Sequence, residues 1–350
     1  MLKMRGIWAK AERYFSPIDF AMVMATGILS IAALLEGYIW LAKVLYFIDV
    51  VLFAILLLFM LRRVLFQWTA FRQDLKSYEK GPSLFTFIVA MCIIGDQVVL
   101  FHHEYVLGRS ILVIAFVVWL LINYSFFFSI TITEQKKSLK DGINGGWLLS
   151  VVALQALAIL TVYTSEHSEA ALFLATCLFF TGCVFYLYLI SLIIYRISFF
   201  ELHAQDLGAA YWINMGATAI TALAGSLIVL NRGDFQLVTV LSPFIKGLTL
   251  LFWSAGTWWI PLLIMLGIWR HIIRKVKAPI TAQGYNPTYW AFVFPLGMYT
   301  ASTFRLSEMF ELPFLKVIPR YFIFFGLITW CALMIGLFSR LLAKKSEANE

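Results

Sequence analysis

Tyr211 to Ser226 (YWINMGATAITALAGS) is apolar enough to lie in a bilayer, yet it carries Asn214, Thr218, Thr221 and Gly225 at i, i+4, i+7 and i+11. That spacing puts all four on one face of a helix. In lipid, a polar stripe is costly unless protein or water covers it, so this segment is predicted to face inward. Four other stretches share its character. Thr26 and Ser30 with Asp19, Thr86 and Gln97, Gln155 with Thr161, and Gly297, Ser302 and Arg305 mark four further apolar segments, and Pro295 interrupts the last as a helix kink. Between these five lie five plainer apolar stretches. The alternation predicts five inner helices around something wet, shielded by five outer ones.

The chain has 350 residues, is 62% hydrophobic and 13% charged, and has a mean hydropathy of +0.86. Those values exclude a soluble domain. A spanning helix needs ~20 mostly apolar residues, which predicts spans near 17–35, 41–61, 83–101, 107–130, 147–164, 170–194, 209–230, 247–269, 288–307 and 314–339. The connections leave no room for a soluble domain, so residues 1–350 read as one transmembrane domain. The first span carries Asp19 and lacks a small-residue cleavage site, unlike a removable signal peptide.

Most of the 27 basic residues fall on one side of these spans: Lys3, Arg5, Lys10 and Arg13, then Arg62 to Lys80, Lys136 to Lys140, Arg196, Arg270 to Lys277, and Arg340 to Lys345. By the positive-inside rule both termini are cytoplasmic, in a cell membrane. The net charge of +8 therefore reports topology and does not call for a nucleic-acid partner. The opposite loops are short and include Glu166-His167-Ser168-Glu169.

The odd spans begin alike. Ser16-Pro17, Gly81-Pro82 and Asn286-Pro287 each precede an aromatic residue, at Phe20, Phe85 and Trp290, while Asn144 to Trp147 and Gly208 to Tyr211 keep the spacing without proline. Proline suits a first helical position, where its missing N–H has no partner to lose. The expectation is an all-α membrane protein of ten helices, built as five quasi-repeated hairpins around a central pore. Thr26, Ser30, Thr86, Gln97, Gln155, Asn214, Thr218, Thr221, Gly297, Ser302 and Arg305 would line that pore; the competing account of such stripes is packing between helices.

Little here suggests catalysis. The four cysteines all lie inside spans, and the five histidines sit in loops or at span ends without metal-ligand spacing, so neither a metal nor another cofactor is expected. No nucleotide-binding or nucleophile motif is present, which leaves a polytopic membrane enzyme as the weaker reading from another class. Asp19 suits a helix cap or a position at the cytoplasmic mouth. Asp96, inside the third span, is open to proton coupling or to a structural hydrogen bond. Arg305 could attract anions or snorkel to the interface. There is no clamp of arginines for tight carboxylate binding and no ring of carboxylates for cations. A weakly polar path suited to loosely held anions remains.

Phe15 to Ser30 (FSPIDFAMVMATGILS), Trp147 to Ala158 (WLLSVVALQALA), Tyr211 to Ser226 and Trp290 to Thr303 (WAFVFPLGMYTAST) resemble the tellurite-resistance/dicarboxylate transporter family, which includes TehA proteins, malate permeases and plant slow anion channels. The resemblance implies ten helices as five hairpins, a trimer, and transport of C4-dicarboxylates such as malate or of monovalent anions and oxyanions. Either proton-coupled transport or a passive gated channel fits the family, in either direction. The resemblance also implies a phenylalanine plug on the ninth helix. The Phe-Pro step assigns it to Phe294, with Phe292 and Phe304 as the other aromatic candidates.

Overall fold

The computed structural model describes residues 15–166 and 168–347. Lys3, Arg5, Lys10, Arg13 and His167 lie outside the described residues, as do the side chains of Lys344 and Lys345. Ten long helices account for most of the chain: α1 (Phe20–Leu35), α2 (Ile39–Phe66), α3 (Phe85–His102), α4 (Tyr105–Ile132), α5 (Leu149–Tyr163), α6 (Glu169–Phe199), α7 (Ile213–Leu230), α8 (Gln236–Ile268), α9 (Trp290–Met309) and α10 (Val317–Glu347). Among the described residues, nine of these are long and apolar enough to cross a membrane. The other is α9, whose Thr300, Ser302, Thr303, Arg305, Ser307 and Glu308 dilute its hydropathy.

The alternation expected from the sequence is present as burial. Between 78 and 94% of residues are buried in the apolar segments of α1, α3, α5 and α7, against 22 to 44% in those of the five even helices. Nearly all of α9 is buried as well. Contacts between helices explain the difference. α1 packs on α3, α3 on α5, α5 on α7, α7 on α9, and α9 back on α1, closing a ring. Each even helix packs on the outside of the odd helix before it.

The similar starts of the odd helices are one structural device. Each begins with a 3-10 turn, at Pro17–Asp19, Gly81–Leu84, Gly145–Leu148, Ala209–Trp212 and Pro287–Tyr289, and the first four are evenly spaced in the chain. Each turn touches the next around the ring, and the last touches the first. Three of them have side-chain caps for their free amide groups. Ser16 donates its N–H to Asp19 Oδ2 at 2.9 Å, and Asn144 Oδ1 and Asn286 Oδ1 accept from Gly146 and Thr288 at 2.8 and 3.0 Å. Asp19 is thus half of a capping box.

The span expected at 247–269 is a helix that starts much earlier, at Gln236. α8 runs through both Pro243 and Pro261. Proline breaks one backbone hydrogen bond, and packing of Val238, Ser242 and Ile245 into the bundle continues the helix across it.

Candidate functional site

The face that α9 turns to the ring axis follows from what its other faces touch. Pro295 meets α7 at Gly216, where an added Cβ would lie 2.8 Å from the proline ring. Gly297 meets α1, with Ile28 at 2.8 Å from the corresponding point. Thr303 Oγ1 accepts from Trp253 Nε1 at 2.9 Å, and Tyr299 and Thr257 hydroxyls are 2.8 Å apart, both toward α8. With 3.6 residues per turn, the remaining face carries Phe294, Met298, Ala301 and Arg305. The first three are 1% exposed or less. Of the alternative aromatics, Phe292 stacks edge-on with Trp212 at 4.0 Å, and Phe304 lies under Lys316.

Several polar side chains of the stripes bond to neighbouring helices. Thr26 accepts from Trp330 Nε1 of α10 at 2.9 Å, and Ser30 donates to the Ala42 carbonyl of α2 at 2.8 Å. Gln155 Nε2 donates to the Phe179 carbonyl of α6 at 3.1 Å, and Gln97 Nε2 to the Gly27 carbonyl of α1 at 3.5 Å. Thr86 donates to Pro17 O, at 2.7 Å. Thr218 faces Gly256 of α8, while Thr221 and Ser302 bond to carbonyls of their own helices. The Asn214 amide is buried, and no hydrogen bond satisfies it. In lipid, a hydroxyl or amide lowers its energy most by reaching a carbonyl or indole on the next helix. Thr26, Ser30, Gln97, Gln155 and Thr218 therefore sit at contacts between helices, and the face of α9 left by its neighbours is mainly apolar.

Charge gathers at the end of the ring far from the 3-10 turns. Arg305 pairs with Glu308 at 2.7 Å. Tyr163 of α5 interacts with the same guanidinium, although α5 and α9 are not neighbours in the ring. Asp96 of α3 is buried within electrostatic reach of Tyr163, and one of its oxygens has no hydrogen-bond partner. Sequence reading picked out Asp96 and Arg305 but missed Tyr163 and Glu308. Both sit at helix ends, where an interfacial aromatic or acid is unremarkable until its partner is known.

Asp49 is a second buried carboxylate, on outer helix α2. Its Oδ2 occupies the place where a Cβ on Gly27 would go, beside Gln97. Among the described residues, no group of three or more histidine, cysteine or acidic side chains is arranged to hold a metal ion.

Residues 14–338 match the family described as "SLAC1: Voltage-dependent anion channel". Two Methanocaldococcus jannaschii proteins, each named an uncharacterized transporter, are 27 and 28% identical over 305 and 313 residues. They align over 83 and 85% of this chain and 84 and 85% of their own lengths. A Mycobacterium tuberculosis protein named an uncharacterized membrane protein is 36% identical over 153 residues, 44% of this chain and 75% of its own length.

Proposed function

Because this chain belongs to the voltage-dependent anion channel (SLAC1) family of multi-pass membrane proteins, we propose that it passes small anions along the axis of its inner ring, with Phe294 as the gate. The observation that carries this reading is the closed ring of five buried helices, whose α9 turns Phe294, Met298, Ala301 and Arg305 to the axis. In this reading α9 also crosses the membrane and brings the spans to ten, the five helix pairs are repeated hairpins, and the ring of 3-10 turns lies on the cytoplasmic side with both termini. The protein works in the cell membrane as a homotrimer. Its substrates are C4-dicarboxylates such as malate, or monovalent anions and oxyanions; any tellurite resistance would follow from oxyanion export.

Selectivity for anions would come from weak groups. Arg305 supplies positive potential at one mouth. No Arg or Lys stands on the apolar face between Phe294 and Ala301, so an ion is held loosely and released quickly. A passive gated conductance follows from that lining. Proton-coupled transport is the second reading, favoured by the buried and partly unpaired carboxyl of Asp96.

Purified protein in liposomes tests both. Malate, nitrate and chloride flux would be followed with and without a proton gradient. Flux that ignores the gradient removes the coupled reading, and no flux of any of the three removes the proposal.

A further inference from the structure

A cavity of about 330 Å³ opens away from the ring axis, between the start of α7, the last turns of α8 and the start of α9. Leu207, Trp212, Leu263, Gly267, Tyr289 and Phe292 form its apolar walls. It is open on the outer surface, where Ile264 is exposed. Gly267 widens it, since a Cβ there would meet nothing within 4 Å.

One end of this groove is basic. Arg270 and His271 line it, and exposed Arg274, Lys275 and Lys277 follow in the chain. Arg270 donates from Nη1 to the Leu207 carbonyl at 2.6 Å, and its guanidinium lies 5.8 Å from the Tyr289 ring centre. Its Nε–H is buried without a partner. A buried charged donor left unpaired is costly and calls for an acceptor. The backbone here leaves α-helical geometry for a π turn at Trp269–Ile273, a feature frequent at functional sites.

We propose that this groove binds an anionic phospholipid, with one acyl chain along the apolar walls and the phosphate at Arg270. The location rests on the membrane reading above, which puts Trp212, Trp269 and Tyr289 at the cytoplasmic interface, where aromatic side chains and anionic headgroups meet. Charge complementarity selects the anionic class. A zwitterionic lipid could fill the same walls but would carry no net charge to the basic end, and free phosphate would leave the walls empty.

The test is retention of phosphatidylglycerol against phosphatidylcholine, measured by native mass spectrometry on purified protein from equimolar mixed micelles. Phosphatidylglycerol should be retained about fivefold better for each basic residue that it engages. Arg270→Gln should lower that preference, and Gly267→Leu should abolish retention of both lipids by filling the groove. Gly267→Ala, a milder filling, serves if the leucine variant does not fold. Equal retention of the two lipids, unchanged binding in the filled variants, or a filled variant that changes only the oligomeric mass would overturn the proposal. The readout needs no anion flux, so its failure is separate from failure of the transport reading.

Discussion

The Trp330 indole N–H donates to the Thr26 hydroxyl at 2.9 Å, joining helices α10 and α1 across 304 positions of sequence. This bond seals the outer wall where the chain's two ends meet. It also shows why polar residues recur on inner helices: an indole or carbonyl on the adjoining helix needs a partner that lipid cannot supply.

Thr26→Val should therefore act on stability. The variant keeps the shape of the side chain but leaves the Trp330 N–H unpaired, a cost of about 1–3 kcal/mol. The expected result is a lower melting temperature in detergent with an unchanged nitrate-to-chloride flux ratio. An altered ratio at wild-type stability would return Thr26 to the ion path.

Phe294→Ala should open the gate. Removing the ring from the axial face is expected to raise anion flux by on the order of tenfold, the rate equivalent of ~1.4 kcal/mol of barrier. Phe292→Ala, on the side of α9 that meets Trp212, should leave flux unchanged. Proteoliposome flux at matched protein density checks both, and the reverse pattern would move the plug.

Arg305 and Glu308 should have opposite effects on flux. Their pairing at 2.7 Å offsets the positive charge at the mouth. Glu308→Gln frees that charge and should raise anion flux at low ionic strength, whereas Arg305→Gln should lower it. Both effects should shrink as salt is raised, because screening shortens the reach of the charge to ~8 Å at physiological ionic strength. Salt-independent effects would indicate a structural role for the pair.

Gly216 is there to admit a proline. A Cβ at this position would approach the Pro295 ring to 2.8 Å, and the ring cannot turn aside. Gly216→Ala should cost about 1–3 kcal/mol through overpacking. Combining it with Pro295→Ala should recover most of that loss. Thermal melts of the two single variants and the double variant measure the coupling, and simple additivity would show that the contact is not responsible.

Asp96→Asn distinguishes the two transport readings. In a coupled transporter it should abolish acceleration by a proton gradient while leaving flux down the anion's own gradient. In a passive channel neither quantity should respond to the gradient in the wild type or in the variant. The measurement is malate or nitrate uptake with an imposed pH difference.

Much of the architecture was legible because lipid makes polarity expensive. Composition marks nine of the ten long helices as apolar enough to span, and the polarity of alternate segments separates buried helices from shielding ones. The repeated starts at Pro17, Pro82 and Pro287 pointed to a common device, which is a ring of 3-10 turns. The start of α8 at Gln236 was not legible, since packing against the bundle extends the helix through Pro243 beyond its most apolar stretch.

Which residues share a helical face can be read from their spacing, because the helical step is set by the backbone. That spacing puts Asn214, Thr218, Thr221 and Gly225 together, and likewise Phe294, Met298, Ala301 and Arg305. What each face meets depends on how the helices pack. Periodicity does not distinguish a stripe that lines a path from one that bonds the next helix, since both need polar groups shielded from lipid. Close contacts at Gly216, Gly297 and Trp330 show that Thr26 bonds a neighbouring helix and that Phe294 lies on the side of α9 that those neighbours leave free, because packing puts a specific partner against each face.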